Sequence, residues 1–263
     1  MERGPLVEDI RVLRAARIVF LHHSVGQNIL DAVARLDGAV SGERWPIVSV
    51  KDAARHTGGA LVHLSGGANL APTTKIDAFV GTLLDHQALQ ADIALMKFCY
   101  VDFDPETDVA ALLTYYRDSI RALRTFRPGL RVAHMTVPLK ARPTGLAPAV
   151  RRLLGMRVWE DAANARRDEF NRLLRAHFPE DPIFDLAAVE TGTEIPAAAE
   201  EGRPPALDPR YTDDGGHLNP TGARVVAVAW LQFLAGIVRD RGPRTVVGDW
   251  DHPALLAPAK APR

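Results

Sequence analysis

Short apolar runs of strand length alternate along the chain with longer segments whose apolar residues recur at helical spacing, an order that predicts a parallel sheet covered by helices. The run Ile18-Val19-Phe20-Leu21 leads into the polar turn His22-His23-Ser24-Val25-Gly26, and a helix follows with Ile29, Leu30, Val33 and Leu36 on one face. Pro46-Ile47-Val48-Ser49-Val50 reads as a second strand, and a Gly-rich loop is expected from Thr57 through Gly66, Gly67 and Asn69 to Pro72. Thr73 or Thr74 then caps a helix bearing Ile76, Phe79, Val80, Leu83 and Leu84. Residues 93–99 form a buried strand with Lys97 inside it, and Asp108 caps a helix carrying Leu112, Tyr116, Ile120 and Leu123.

A fourth strand, 131–137, ends at Pro138 and opens a Pro-containing excursion. The helix from Asp161 to about His177 turns Phe170, Leu173 and Leu174 inward and its Arg-rich side to solvent. Ile183-Phe184-Asp185-Leu186 is the fifth strand, and the Ala- and Glu-rich piece 194–205 reads as an exposed loop. In Asn219-Pro220 the last helix has a strong start signal, an N-cap side chain followed by a proline at the first helical position. The expected architecture is a three-layer α/β/α sandwich around a five-stranded parallel sheet. One domain spans 1–238, and a loosely packed Pro-rich tail covers 239–263.

Composition narrows the function classes. Lys plus Arg and Asp plus Glu both number 32, so no net field draws the chain to nucleic acid or an anionic membrane, and a small-molecule partner is expected. No window approaches the roughly 20 apolar residues of a membrane span, and charges interrupt every apolar stretch before Ile18, leaving no signal-peptide core. The single cysteine, Cys99, has no internal disulfide partner and reads as a small buried hydrophobe at a strand end. The cytoplasm is the expected compartment.

Two motifs at opposite ends of the chain carry chemistry. A serine hydroxyl becomes a nucleophile when a base takes its proton, a third group fixes that base and amide donors receive the oxyanion. Ser24 lies where a strand gives way to a helix, at the sheet edge where such folds place their sites. Alone it reads first as a helix N-cap, and the second motif changes that weighting. In Asp214-Gly215-Gly216-His217 the carboxylate and imidazole are three residues apart in a Gly turn, so Asp214 can hold one ring nitrogen and leave the other free as a base. Alone this motif reads equally as a surface turn. His22 and His23 with Asp214 and His217 have the chemistry of a metal site, but strand neighbours point to opposite faces, so no metal is expected. Arg151, Arg152 and Arg157 read as a solvated face.

With both motifs in this order, the chain resembles the SGNH (GDSL-like) hydrolase superfamily, in which an N-terminal block supplies the serine and a C-terminal Asp-x-x-His block the other two triad members. His217-Leu218-Asn219-Pro220 continues that block as the family does. Thr136-Val137-Pro138, Asn171 and Phe184-Asp185-Leu186 resemble its intermediate segments, so the likeness spans residues 17 to about 235. It implies a Ser24–His217–Asp214 triad hydrolysing a small acyl ester of a polar or carbohydrate alcohol, deacetylation included, without a cofactor.

The chain departs from the pattern at two blocks. His22-His23-Ser24 stands for the usual Gly-Asp-Ser, and Phe98-Cys99-Tyr100-Val101-Asp102 lacks the third block's oxyanion Asn. The oxyanion donors implied are the Ser24 amide, a glycine amide, Gly67 ahead of Gly66, Gly58 and Gly59, and either Asn69 or the Tyr100 hydroxyl for the missing Asn. Acyl transfer by the same triad and a non-catalytic glycan- or protein-binding module are the alternatives. Low aromatic content, 6%, and the absence of an evident lipid-covering helix favour a small acyl group.

Overall fold

β1 (Arg17–Leu21) is buried along its whole length because it has parallel neighbours on both sides and helices on both faces. In the computed structural model, which describes residues 3–40, 44–86, 89–192 and 203–240, the main sheet has five parallel strands in the order β2-β3-β1-β4-β5. Its other members are β2 (Ile47–Ser49), β3 (Ala60–Leu64), β4 (Ile93–Met96) and β5 (Arg131–Val132). β6 (His134–Met135) and β7 (Ile183–Phe184) form a further parallel pair. Ala133 donates to the Ala94 carbonyl at 2.9 Å, so the 131–135 segment hands over from β4 to β7 without leaving its path. Leu21 stands in register with Leu64 and Met96, which brings the loops after β1, β3 and β4 out at one sheet edge.

The α/β sandwich of the sequence reading is present, with one change of membership. β3 falls within the segment expected to be a Gly-rich loop, because Gly58-Gly59 and Gly66-Gly67 frame only six residues and hide a five-residue strand. The 183–186 run is short, two residues of strand followed at once by α7 (Leu186–Glu190), and pairs outside the main sheet.

Alternating side chains of β1 feed two cores. Ile18 and Phe20 pack under α1 (Arg3–Leu13), α2 (Ser24–Val40) and α8 (Pro220–Arg239), while Val19 and Leu21 pack under α3 (Pro72–Asp85), α4 (Val109–Phe126) and α6 (Trp159–His177). α8 corrects one expectation: by length and composition it is apolar enough to cross a membrane. Here Val226, Trp230, Leu231 and Leu234 are buried in the first core, as the central helix of a sandwich requires. Asn219 caps it through the N–H groups of Thr221 and Gly222, and Asp108 caps α4 through Ala111, both as the sequence predicts. Thr74 does not cap α3; Pro72 starts that helix, and the Thr74 hydroxyl instead accepts from the Ala68 N–H and donates to the Ala71 carbonyl. The tail beyond 240 and most of the 194–205 piece lie outside the described residues.

The inner seam of α6 is polar. Asn164, Arg167 and Asn171 are all buried, although the sequence reading sends the Arg-rich face to solvent. Asn171 receives the Val137 N–H at 2.7 Å and donates to the Val137 carbonyl at 3.0 Å; Asn164 treats Lys140 the same way. The helix thus supplies, through side chains, the pairing the chain loses where it leaves β6. Replacing Asn171 with Ala strands both Val137 backbone groups, and the expected loss of about 2–4 kcal/mol is measurable by urea denaturation. Exposed Arg172→Ala is expected to stay within about 0.5 kcal/mol.

Candidate active site

Ser24 is exposed at the first turn of α2, three residues past the end of β1. The turn is tight because His22 folds beneath the helix: a side chain at Gly26 would lie 2.3 Å from the His22 Cβ, so only glycine fits. His22 stacks on Phe20 with ring centroids 5.1 Å apart and meets His63 of β3, Nε2 to Nδ1, at 3.1 Å. Its Nδ1 faces the His23 carbonyl at 3.0 Å. A carbonyl only accepts, so Nδ1 carries the proton, Nε2 accepts, and His63 donates. Burial, with the nearby His63 and Lys97 acting the same way, pushes the His22 pKa down to about 4. His23 points the other way, its Nε2 donating to the Gly66 carbonyl at 3.0 Å, which ties the Ser24 turn to the loop after β3. The two histidines therefore diverge, as strand geometry predicts, and no cluster of three metal-ligating side chains occurs among the described residues.

That loop sorts the glycine candidates. Gly58 and Gly59 precede β3 at the opposite sheet edge, where a Gly59 side chain would strike the Arg14 carbonyl, which removes both as oxyanion donors. Gly67 adopts φ +73°, and a Cβ there would lie 2.5 Å from the Lys75 backbone nitrogen. Among the described residues the N–H groups of Ser24 and Gly67 have no hydrogen-bond partner. Neither has the amide Nδ2 of exposed Asn69, whose Oδ1 accepts from Lys75 Nζ at 2.9 Å.

The C-terminal block is organised by one carboxylate. Asp214 Oδ1 accepts from the N–H groups of Gly216 at 2.9 Å and His217 at 2.8 Å, and Oδ2 accepts from His217 Nδ1 at 2.6 Å. The His217 contact first, then the two backbone donors, hold Asp214 far below the ordinary carboxylate range. Asp214 so fixes both the turn and the ring, and the His217 Nδ1 proton leaves Nε2 as the lone-pair nitrogen. The Tyr100 hydroxyl lies 3.5 Å from that nitrogen, and its ring packs edge-on to the imidazole against Gly216. No hydrogen bond of Ser24 Oγ occurs among the described residues.

Sequence reasoning missed the supports. Arg167 donates to the carbonyls of Tyr100 and Phe103, and Lys140 lies over the Tyr100 ring at 5.6 Å. Lys97 is fully buried with Nζ donating to the Phe98 carbonyl, and burial pushes its pKa down. Cys99 is buried, as expected for a small apolar side chain. The excursion after β6 is tied to the His217 block by Ala141 N–H donating to the Gly215 carbonyl, and it contains α5 (Leu146–Leu153), none of whose residues is buried. Leu146, Val150, Leu153 and Leu154 are exposed there, a helix with apolar side chains in solvent within the segment that the sequence reading takes as a Pro-containing excursion. Arg152 pairs with Asp161 and Arg157 with Glu106.

No family model and no curated protein matches the chain. Among solved structures it is similar to a lipase/acylhydrolase from Enterococcus faecalis, at 15% identity over 84% of this chain and 96% of that one, with a TM-score of 0.49. It is also similar to an extracellular lipase from Streptomyces rimosus, at 15% identity over 84% and 99% with a TM-score of 0.42. A third is the periplasmic domain of a lipopolysaccharide acetyltransferase from Salmonella ser. Paratyphi A, at 9% identity over 86% of each chain with a TM-score of 0.46. At such identities the role of each residue rests on this chain's own geometry.

The buried histidine sets a pH dependence. Between about pH 6.5 and pH 4 the unfolded chain protonates His22 while the folded chain does not, so stability falls with pH across that window by up to about 3 kcal/mol. Burial lowers His23, His63 and His134 in the same direction. Urea midpoints across the window are expected to fall steeply for the wild type and less steeply for His22→Gln.

Proposed function

We propose that the chain is a divergent SGNH-type serine esterase that cleaves a short acyl ester, with Ser24 as nucleophile, His217 as base and Asp214 as its orienting carboxylate. The observation that carries this reading is the Asp214–His217 pair. An exposed imidazole held at Nδ1 by a carboxylate whose pKa lies far below the ordinary range, with Nε2 left as lone-pair nitrogen at the strand-end edge that also presents Ser24, has the form of a general base. In the proposed reaction Ser24 Oγ attacks the ester carbonyl as Nε2 takes its proton. The tetrahedral oxyanion is received by the Ser24 and Gly67 amides and the Asn69 side chain. Collapse expels the alcohol, to which Nε2 returns the proton, and water activated by the same base releases the acid. Tyr100 at Nε2, covered by Lys140, narrows the room beside the base and favours a short acyl group. No cofactor takes part.

A non-catalytic binding module on the same fold is the rival reading, and the contact between Tyr100 and Nε2, where a serine hydroxyl is wanted, is the observation in its favour. Hydrolysis of p-nitrophenyl acetate separates the two. The proposal expects turnover that falls at least about 10⁴-fold in Ser24→Ala and His217→Ala, and to a similar degree in Asp214→Asn, which presents the wrong donor to the ring. A folded wild type without turnover on p-nitrophenyl acetate, propionate or butyrate supports the binding module. Adding an alcohol acceptor and analysing products distinguishes acyl transfer from hydrolysis.

A further inference from the structure

The sequence offers no Asn where an SGNH-type enzyme takes its third oxyanion donor, yet the structure has built an unusual support under another one. Lys75 and Asp102 come from α3 and from the turn after β4, and both side chains are completely buried. Lys75 Nζ donates to Asp102 Oδ2 at 2.6 Å and Oδ1 at 2.8 Å, and its third acceptor is Asn69 Oδ1 at 2.9 Å. An ammonium only donates, so the amide of Asn69 has one allowed orientation: oxygen inward to Lys75, Nδ2 outward. Asp102 also accepts from the Leu70 N–H at 3.0 Å and from the Cys99 N–H at 2.7 Å. The first of these bonds holds the residue after Asn69. Leu70 sits at φ +66°, a conformation leucine avoids, with its side chain 76% exposed and therefore not held by packing.

We propose that the Lys75–Asp102 pair is the positioning device for Asn69, fixing its side-chain amide as the oxyanion donor that replaces the missing one; this rests on the esterase reading above. A buried ion pair contributes little stability compared with apolar residues of similar volume, so a role in orienting a site explains its presence better than a role in holding the fold. Both partners act through Asn69. Their carboxylate and ammonium leave the Nδ2 donor preorganised, which is how oxyanion stabilisation is obtained without reorganisation during the reaction.

A double-mutant cycle on p-nitrophenyl acetate turnover tests the device. Asn69→Ala is expected to lower kcat by about 10²–10³-fold with little change in KM. Asn69→Asp keeps a partner for Lys75, so its thermal midpoint stays at or above the wild type, yet it has no N–H and loses kcat to the same extent. The neutral pair Lys75→Gln/Asp102→Asn is expected to lower kcat at least about tenfold, and to lower it no further once Asn69 is Ala. If the neutral pair does not fold, Lys75→Arg, which keeps the charge but changes the reach to Asn69, enters the same cycle. Equal losses with and without Asn69, or an unchanged kcat in Asn69→Ala, overturn the positioning role while Ser24-dependent turnover stands. Turnover that survives Ser24→Ala, or none in the wild type, overturns the esterase reading and this proposal with it.

Discussion

The Asp102 carboxylate sits in a fully dry position, and a charge there is tolerable only when every donor around it is in place. Its donors are Lys75 of α3 and the backbone of two loops, Leu70 after β3 and Cys99 after β4. That requirement locks the two loops to each other at the edge where β1, β3 and β4 end together. The β4 loop continues into Tyr100, whose carbonyl is held by Arg167 and whose hydroxyl meets His217. Across the other flank, His23 bonds the Ser24 turn to Gly66. Polar contacts thus run without a break from the turn bearing Ser24 to the block bearing His217.

The residues immediately before Ser24 are two imidazoles with different surroundings. His22 brings a neutral ring to the turn that bears Ser24, stacked on Phe20 and bonded to His63, and its burial makes protonation unfavourable until the pH falls well below neutrality. The anchoring of the turn is consequently a matter of packing and neutral hydrogen bonds. Charge is concentrated instead in Asp214 on the exposed side and in Lys75 and Asp102 on the buried side.

Much of this was legible in the chain. A run of four apolar residues before His22, and an Asp and His separated by two glycines before Asn219-Pro220, determine where Ser24, Asp214 and His217 stand in the fold, because local turn chemistry and capping specify those positions. β3 was not legible, since glycines on both sides give a buried strand the punctuation of a loop. Arg167 was hidden among three other arginines on α6, and helical period cannot say which long cationic side chain turns inward. Lys75 and Asp102 are 27 residues apart, and nothing local to either announces the other. Gly67 and Asn69 were visible as candidates, but only their geometry separates them from Gly58 and Gly59.

Whether Ser24 is an activated nucleophile is the central claim, and labelling with a fluorophosphonate probe tests it without knowledge of the natural substrate. The modified peptide is identified by mass spectrometry for the wild type beside His217→Ala. The account predicts a single phosphonylated residue, Ser24, and loss of that label when His217 is removed. An unlabelled folded wild type, or a label on another residue, contradicts it.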